Sequence, residues 1–398
     1  MMHFILITIQ IVAAFGIVSS SIYWLLCLWS AAAFLRERDA GEGPFDRISG
    51  QARPASNPPP VSILKPLKGA DPEMYESFRS HCSQDYPEYE IVFGVSDPND
   101  PAIESVKALQ QEFSDRRIKL VVRPQILGAN VKVSNLAQML EAASYDHLIV
   151  NDSDIRVQSD YVRRVTAPLA DARVGMVTCL YRGVAGPTLG SRLEALGIST
   201  DFCAGVLAAR QLEGGIRFGL GSTLAFRRAD LEKIGGFASF VDYLADDYEL
   251  GRRIARLGLK VKLSRVVVET HLPSYDLRGF FAHQLRWARG VRDARPGGYV
   301  GLVFTFGLLW ALLALVASGG AFWAWSGLTA ALALRFAVAL AVSQGVLEDY
   351  EVLEDVWLIP LRDLFAAGIW IASLSGHTVT WRGDRFLLEN GRLTRIAR

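Results

Sequence analysis

The sequence predicts an α/β domain with a mostly parallel sheet, set between segments that cross a membrane. Of the 398 residues, 51% are hydrophobic and 21% are charged, which is too apolar for a disordered or fibrous protein. The longest apolar runs lie near the two ends of the chain. Between them, short β-branched runs alternate with helical patterns, which is typical of a parallel sheet with helices on both faces.

Charge and cysteine content argue against some classes of protein. The chain has 42 Lys+Arg against 41 Asp+Glu, a formal net charge of +1, so no overall positive field favours a nucleic-acid partner. The cysteines show no CxxC spacing, which argues against a zinc ribbon or a disulfide framework. We therefore expect reduced thiols at Cys27, Cys82, Cys179 and Cys203.

Residues 1–36 are predicted to form an N-terminal transmembrane helix. Residues 4–35 contain no charged side chain, and a helix of that length spans about 48 Å, more than the ~30 Å of a bilayer core. The aromatic residues in this run and its lack of a basic start argue against a cleaved signal peptide. Only His3 precedes the run, whereas Arg36 and Arg38 follow it, so the next domain is predicted to face the cytoplasm.

Residues 299–346 are predicted to form two more transmembrane helices. They carry one charged side chain, Arg335. The sequence Ser318-Gly319-Gly320 divides them into two apolar stretches, each long enough to cross a bilayer as one arm of a hairpin.

Residues 347–398 are predicted to contain a re-entrant or interfacial helix and a basic tail. Residues 356–376 are apolar but include Arg362 and Asp363 near Pro360, charges that disfavour a simple span. The alternative is a fourth crossing. A basic tail favours a cytoplasmic end, and therefore a segment that does not cross fully. The tail arginines are Arg382, Arg385, Arg392, Arg395 and Arg398.

The region between the membrane segments divides into a linker at 37–60, a folded domain at 61–276 and an interfacial helix at 277–298. Ligands of open α/β sheets bind beyond the carboxyl ends of the strands, so polar residues at those ends are the first candidates for chemistry. The predicted strands are 61–65, 89–96, 118–123, 147–151 and 174–180. The predicted helices are 72–83, 101–113, 132–144 and 159–170.

Acidic side chains follow two of the predicted strands. Asp97 follows one, and Asp152 and Asp154 follow another. Alternate side chains on extended backbone point the same way, so Asp152 and Asp154 can bind the same ligand. A hard cation such as Mg²⁺ or Mn²⁺ prefers carboxylate oxygens and keeps positions for substrate phosphates, which suits a nucleotide diphosphate. The alternative is an Asp-rich turn that caps the next helix.

A third acidic group, Asp246 and Asp247, begins a helical pattern that ends near Gly258. Acids at this position can complement the helix dipole, an effect of roughly 0.3–1 kcal/mol. A carboxylate at a helix start that faces a cleft can instead deprotonate an acceptor hydroxyl. Spacing alone does not choose between the two residues.

An HxxRW element, His283, Arg286 and Trp287, lies just before the C-terminal apolar residues. Arg286 can neutralise a leaving diphosphate through paired hydrogen bonds, with Trp287 packed beneath it. The outer Arg292 and Arg295 are predicted to contact lipid headgroups. The alternative for the whole set is a juxtamembrane basic stretch that only sets topology.

Three further features have two interpretations each. Lys132 either approaches a phosphate or is a solvated lysine at a helix start. His271 follows a strand-like run and is either a further metal ligand or an ordinary strand-end histidine. Residues 187–212 are helical and moderately apolar, and they fit a helix against the membrane as well as a soluble core helix.

The chain resembles the ceramide glucosyltransferase family of membrane-bound glycosyltransferases, including its bacterial hopanoid-associated relatives. The resemblance covers nearly the whole chain, and its motifs are specific when taken together. The matching segments are Ser62-Ile63-Leu64-Lys65-Pro66-Leu67-Lys68-Gly69, Asp97-Pro98-Asn99-Asp100-Pro101-Ala102, Asp152-Ser153-Asp154-Ile155-Arg156-Val157, Ala245-Asp246-Asp247-Tyr248 and Leu285-Arg286-Trp287.

The resemblance implies a GT-A fold, a UDP-sugar donor, inversion at the sugar carbon and a lipid alcohol as acceptor. By motif, Asp97 matches the acid that reads the uridine part of the donor. Asp152 matches the acid of the diphosphate and metal site, and Asp154 completes the usual DxD pattern. Asp247 matches the catalytic base of the family.

The same resemblance implies that Arg286 and Trp287 end a (Q/R)xxRW element. This chain departs from the element at its first position, where His283 replaces Gln or Arg. The difference puts the partner of that residue in question, and an acceptor-side contact that varies between lipid classes is one interpretation.

These inferences predict a hexosyltransferase that moves one glucose or N-acetylglucosamine from a UDP-sugar to a lipid hydroxyl, with Mg²⁺ or Mn²⁺ as cofactor. Ceramide, a hopanoid alcohol and diacylglycerol remain open as acceptors. The nearest alternative is a processive polysaccharide synthase, although three or four spans supply little channel wall. A non-catalytic nucleotide-binding scaffold is the remaining alternative, and intact acids at all three sites argue against it.

Overall fold

The computed structural model describes residues 1–40 and 58–396. Most of the predicted linker, residues 41–57, and the terminal Arg398 lie outside the described residues. The chain separates into two compact units, described below one at a time. The apolar-helix unit comprises Met1–Asp39, Pro187–Leu212 and Ser274–Gly383. The sheet unit comprises the described residues of Ala40–Gly186, Glu213–Pro273 and Asp384–Arg398.

The elements are numbered in chain order. The strands are β1 (Val61–Pro66), β2 (Tyr89–Val95), β3 (Arg117–Val122), β4 (His147–Val150), β5 (Ile155–Arg156), β6 (Val174–Val184), β7 (Leu224–Arg227), β8 (Lys260–His271), β9 (Thr378–Trp381), β10 (Asp384–Glu389) and β11 (Arg392–Arg395). The α-helices are α1 (Met2–Ala40), α2 (Met74–Cys82), α3 (Ala102–Glu112), α4 (Val131–Met139), α5 (Tyr161–Thr166), α6 (Leu189–Gly197), α7 (Cys203–Leu212), α8 (Arg228–Lys233), α9 (Asp246–Arg256), α10 (Leu277–Ala294), α11 (Pro296–Gly301), α12 (Gly307–Ala317), α13 (Phe322–Leu340), α14 (Val352–Asp355) and α15 (Ile359–Ser373). Short 3-10 or π segments lie at Ala167–Ala170, Ile198–Phe202, Phe237–Phe240, Leu302–Thr305, Ala341–Val346 and Val356–Leu358.

The sheet unit confirms the predicted α/β class, with a mixed sheet in the order β3-β2-β1-β4-β7-β6-β8-β5. The first four strands run parallel, and so do β6 and β8. Strand β7 is antiparallel to both β4 and β6, and β5 is antiparallel to β8. The sequence analysis did not predict β7.

Strands β1 and β2 are buried along their whole length, which explains why they appear in the sequence as continuous apolar runs. Val61 of β1 is in register with Tyr89 of β2 and His147 of β4. Since these three strands are parallel and adjacent, their carboxyl ends meet at one edge of the sheet. The loops that follow them therefore lie side by side.

The C-terminal residues, predicted as a basic tail, contain regular structure. Strands β10 and β11 pair antiparallel within the sheet unit. Tyr243 bridges to Arg392, and the guanidinium of Arg392 lies 5.2 Å from the Tyr243 ring centroid. Arginines that make such contacts are weaker evidence for the membrane orientation of the tail than the sequence analysis assumed.

The apolar-helix unit contains the candidate membrane spans. Among the described residues, three helical stretches are long and apolar enough to cross a bilayer: Met2–Glu37, Phe322–Val346 and Val352–Ser373. The first predicted arm of the hairpin is instead a pair of helices, Pro296–Thr305 and Gly307–Ala317, that bend by 51°. Such a pair is either a broken span or a re-entrant loop. Residues 356–376, predicted as re-entrant, largely coincide with the candidate span Val352–Ser373, which is long and apolar enough to cross a bilayer. The alternative that this segment is a further span therefore stands.

The charges that argued against that crossing have partners inside the apolar-helix unit. Arg335 donates from Nε to Asp363 at 2.8 Å and from a terminal nitrogen to the hydroxyl of Thr200 at 3.1 Å. Arg362 donates to Asp201 at 2.8 Å. Paired charges of this kind are tolerated among apolar helices. Residues 187–212 belong to this unit, although the sequence counted them in the folded domain.

Candidate active site

The first two predicted acid positions lie at one edge of the sheet. Asp97 follows β2 and Asp152 follows β4, with β1 between these two strands. At the usual strand spacing, the two positions are on the order of 10 Å apart. Asp97 is exposed, and its Oδ1 accepts a hydrogen bond from the amide of Asn99 at 2.8 Å. This edge is where an open α/β sheet binds its ligand.

Gly221 brings Asp152 and Asp247 together. Its amide donates to Oδ2 of Asp247 at 2.8 Å, and its carbonyl accepts from the amide of Asp152 at 3.3 Å. A Cβ atom at position 221 would lie 2.6 Å from Oδ2 of Asp152 and 3.5 Å from Oδ2 of Asp247. Two acids separated by 95 positions in the chain therefore flank one glycine. The sequence analysis did not identify Gly221, because a glycine between two distant acids has no local signature.

Lys132 lies between two of the acids. Its Nζ is 2.7 Å from Oδ1 of Asp152 and 2.9 Å from Oδ2 of Asp246. Burial by itself would lower the pKa of Lys132, but the two carboxylates outweigh it and raise the pKa. The lysine is therefore a fixed positive charge within the acidic cluster.

Asp247 is a buried carboxylate with a raised pKa. It lies in the first turn of α9, and its Oδ1 accepts from the amide of Tyr248 at 2.7 Å. Burial and the neighbouring Asp246 raise the pKa of Asp247 to about 6, against the opposing effect of Lys132. A carboxylate with a raised pKa takes a proton more readily than an ordinary one while remaining ionised at neutral pH.

Asp154 lies deeper in the site. Its Oδ2 accepts from the Thr270 hydroxyl at 2.5 Å, and burial together with Asp152 raises its pKa to about 6. The amide of His271 donates to the carbonyl of Asp154 at 3.1 Å. The imidazole Nε2 of His271 lies 3.5 Å from Oε2 of Glu269. The structure thus places the His271 ring beside Glu269, and only its main chain contacts Asp154.

The acids fit a divalent cation that completes its coordination with substrate oxygens. In the part of the chain that the structure describes, no three His, Cys, Asp or Glu side chains are placed to hold a metal by themselves. Asp152 and Asp154 offer hard oxygen donors, and the side chain of Asp152 is 39% exposed. Mg²⁺ and Mn²⁺ are often bound through one or two carboxylates and the phosphates of a substrate.

A buried lysine beneath the acids was missed by the sequence analysis. Lys65 in β1 is 0% exposed, and its Nζ donates to the main-chain oxygen of Asp152 at 3.0 Å. Burial lowers the pKa of Lys65 to about 7, against the attraction of Asp154 and Asp152. The signal available in the sequence was a single charge inside an otherwise apolar strand, a position that is normally filled by Val, Ile or Leu.

The HxxRW element lies on α10, in the apolar-helix unit. The ring of His283 is 4.9 Å from that of Trp287, and the guanidinium of Arg286 lies 5.8 Å from the ring of Trp381. Arg292, predicted to contact lipid headgroups, donates instead to the carbonyl oxygens of Ser373 and Gly376. Main-chain carbonyls at the end of α15 bind this arginine because they lack helical partners.

The mixed sheet with acids at its carboxyl edge defines a class, the GT-A glycosyltransferases. A solved structure of this class, the mannosyltransferase PcManGT from Pyrobaculum calidifontis in complex with GDP-Man and Mn²⁺, has a TM-score of 0.51 and 22% identity to this chain. The alignment covers 90% of this chain and 98% of that one. It confirms the GT-A fold that the resemblance implied.

The chain belongs to glycosyl transferase family 21, whose sequence model matches residues 12–394. Ceramide glucosyltransferase 3 of Caenorhabditis elegans is 24% identical over 361 residues, which are 87% of this chain and 76% of that protein. Ceramide glucosyltransferase of Komagataella phaffii is 37% identical over 108 residues, 26% of this chain and 21% of that protein. The protein is a ceramide glucosyltransferase-like hexosyltransferase, and its candidate spans fit a membrane protein.

Replacing Gly221 tests the geometry of the site with little effect on the fold. The new Cβ in Gly221→Ala would lie 2.6 Å from Oδ2 of Asp152. That atom is the end of a side chain and can move, so we expect a normal unfolding temperature. A displacement of about 1 Å in a catalytic group can lower the rate about 100-fold, and we expect a loss of transfer of that order.

The matched control for this test is Gly368→Ala, at a position where no atom lies within 4 Å of the added Cβ. The test compares the rates of sugar transfer and the thermal unfolding curves of the two variants. Normal transfer by Gly221→Ala would mean that the position of the Asp152 carboxylate does not matter to the reaction.

Proposed function

We propose that this protein transfers one hexose, glucose or N-acetylglucosamine, from a UDP-sugar to the hydroxyl of a membrane lipid, with ceramide as the first candidate acceptor. One observation carries the proposal: Asp152 and Asp247 flank Gly221, and Lys132 pairs with Asp152, at the edge where an open α/β sheet binds its ligand. The curated relatives named as ceramide glucosyltransferases support the choice of acceptor.

The donor is held by residues at the carboxyl ends of β2 and β4. Asp97, exposed at the end of β2, accepts hydrogen bonds from the uridine part. Lys132 neutralises charge on the diphosphate, and Asp152 with Asp154 would hold Mn²⁺ or Mg²⁺. The cation, when bound, stabilises the charge that grows on the departing UDP.

The acceptor hydroxyl is activated by Asp247. This carboxylate takes the hydroxyl proton while the oxygen attacks the anomeric carbon of the sugar, and the bond from that carbon to the diphosphate oxygen breaks. The negative charge leaves with UDP, and the proton remains on Asp247 until solvent removes it. A single displacement of this kind inverts the anomeric centre and gives a β-glycoside.

Membrane attachment serves the acceptor, which is insoluble and reaches the enzyme from a leaflet. We propose that Arg286 and Trp287, on the interfacial helix 277–298, take part in donor binding, as the family motif implies. Arg36, which follows the first span, supports a cytoplasmic position for the catalytic domain at 61–276. Sugar nucleotides made in the cytoplasm are then directly accessible.

The experiment is an acceptor and donor panel with purified protein in lipid nanodiscs. UDP-glucose and UDP-N-acetylglucosamine are each offered with ceramide, a hopanoid polyol or diacylglycerol, and products are identified by mass spectrometry with UDP release measured in parallel. We expect metal-dependent UDP release coupled to a single-sugar ceramide. A sugar polymer as product would identify a processive synthase. A hopanoid glycoside as product would show that the acceptor is a hopanoid and not ceramide. Absence of UDP release with every pair would contradict the enzymatic proposal.

A further inference from the structure

The C-terminal hairpin, formed by β10 and β11, binds the stretch of chain that precedes the proposed base. Its strands are joined by a two-residue turn that ends at Gly391, and both turn residues have positive φ, as a type I′ turn requires. The amide of Leu244 donates to the carbonyl of Gly391 at 3.0 Å. The amide of Leu393 donates to the carbonyl of Asp242 at 2.6 Å. This antiparallel pairing fixes residues 242–244 against the hairpin.

The other side of the same segment is bound to the start of α4. Asn130 is 0% exposed, and its side chain donates to the carbonyl of Tyr243 at 2.7 Å. Its main-chain amide donates to the carbonyl of Val241 at 2.7 Å. Asn130 also caps α4, where its Oδ1 accepts from the amide of Val133 at 3.1 Å. The segment is therefore attached both to the hairpin and to the first turn of the helix that carries Lys132.

The ring of Tyr243 links the hairpin to α9. The guanidinium of Arg392 lies 5.2 Å from the ring centroid, and its Nε donates to the Tyr243 hydroxyl at 3.2 Å. Arg253 of α9 lies 5.5 Å from the same centroid and donates to Glu249, on the same helix, at 2.7 Å. A cation within about 6 Å of an aromatic centroid is attracted to the ring. One ring thus joins the C-terminal hairpin to the helix whose first turn contains Asp247.

We propose that Arg392 is a positioning residue of the active site, which holds the chain leading into Asp247 through its contacts with Tyr243. The inference rests on the proposed function, in which Asp247 is the base. Every residue in this set of contacts belongs to the sheet unit. Residues 242–244 end two residues before Asp247, so a shift of the segment is passed on to that carboxylate.

The same segment also supports the donor side of the site. Asp246 lies between residues 242–244 and Asp247, and its Oδ2 is 2.9 Å from Nζ of Lys132. A loosened segment would therefore displace the proposed base and the lysine together. Since Lys132 is proposed to neutralise the diphosphate, weaker UDP-sugar binding should accompany the slower reaction.

The test measures transfer from UDP-glucose to short-chain ceramide by the Arg392→Ala protein in nanodiscs. The kcat should fall roughly tenfold, less than the ~100-fold of a 1 Å displacement, because the main-chain bonds of the hairpin remain. The KM for UDP-glucose should rise roughly threefold, whereas partial unfolding would only reduce the active fraction and leave the KM unchanged. Arg392→Lys keeps a cation above the Tyr243 ring and should stay within about threefold of the wild-type kcat.

Hydrogen exchange measured by mass spectrometry reports on the contact without using activity. In Arg392→Ala, the amides of residues 241–248 should exchange faster than in the wild type, because their bonds open more often. Arg395→Ala is the matched control. Arg395 is on the same strand, and its ion pair with Asp384 at 2.6 Å lies within the hairpin. This variant should match the wild type in exchange, kcat and KM.

The possible results separate the inference from the proposed function. Unchanged exchange at residues 241–248 in Arg392→Ala would overturn the inference, and so would faster exchange with normal kcat and KM. Equal losses in Arg392→Ala and Arg395→Ala would also overturn it, because only the stability of the hairpin would then matter. All three results leave the proposed function intact. If the wild type itself transfers no sugar to ceramide, the proposed function is wrong in its acceptor, and the inference fails with it.

Discussion

Asp247→Asn should lower the rate of sugar transfer by roughly 1,000-fold, within the range contributed by a general base, while the UDP-sugar still binds. The amide keeps the shape of the side chain, and its one oxygen can accept from the Gly221 amide, which bonds Asp247 at 2.8 Å in the wild type, but the hydrogen bond from the Tyr248 amide to the other oxygen is lost. It cannot take a proton from the acceptor. The unfolding temperature should change little, because removal of a buried negative charge beside Asp246 offsets the loss of the hydrogen bond from the Tyr248 amide. Rates of transfer and calorimetric titration with UDP measure the two effects separately.

Asp246→Asn is the matched control for the choice of base. Asp246 pairs with Lys132 at 2.9 Å, so its loss should weaken donor binding more than the chemical step. Near-normal transfer by Asp247→Asn, with activity lost only in Asp246→Asn, would move the role of base to Asp246.

The pH dependence of the wild type should show the same base. Burial and Asp246 raise the pKa of Asp247 to about 6, and the base works only when it is deprotonated. The value of kcat/KM should therefore rise with pH through about 6 and level off above it. Saturating divalent cation should keep Asp154 ionised, because a nearby positive charge lowers a carboxyl pKa. The rise of kcat/KM with pH then reflects the ionisation of Asp247. The residual activity of Asp247→Asn should not show this rise.

Asp152→Asn should lower kcat/KM by about 100- to 1,000-fold, the usual effect of removing one electrostatic contact with a developing charge. The Asp152 carboxylate lies 2.7 Å from Nζ of Lys132 and is the exposed member of the proposed metal pair. Its loss weakens the binding of the cation and leaves Lys132 paired with Asp246. We expect the Mn²⁺ concentration that gives half-maximal activity to rise, measured by metal titration of the transfer rate.

Asp146→Asn is the control for the Asp152 variant. Asp146 precedes β4, at the opposite end of the strand from Asp152, and its side chain is 89% exposed. It should behave as the wild type in both rate and metal titration. An Asp152→Asn enzyme with an unchanged metal titration would show that the cation is not held at this residue.

The strand-end acids could be predicted from the sequence because parallel strands place their carboxyl ends at one edge. Asp97 follows β2, which is buried along its whole length, and Asp152 follows β4, which is buried after its first residue; such apolar runs are visible without a structure. Spacing alone did not separate Asp247 from Asp246, since both begin α9, and only the family motif pointed to Asp247. In the structure, Asp247 accepts from the Gly221 amide and Asp246 pairs with Lys132, two contacts that no local pattern in the sequence shows.

Contacts between distant residues explain the other differences. Arg362 and Asp363 counted against a membrane span when they were considered alone, whereas their partners Asp201 and Arg335 come from other segments. The buried carboxylate of Glu194 pairs with His283, which lies 89 positions away in the chain. Hydropathy and spacing describe one stretch at a time, so neither can show that a buried charge has a partner.

The most direct test of the central claim is a cryo-electron microscopy structure of the Asp247→Asn protein in a nanodisc with UDP-glucose and Mn²⁺. The substitution should trap the donor by preventing transfer. We expect the uracil beside Asp97, the cation on Asp152 and Asp154, and the anomeric carbon near the side chain at position 247. Density for the nucleotide away from this edge of the sheet, with these side chains free of ligand, would contradict the account.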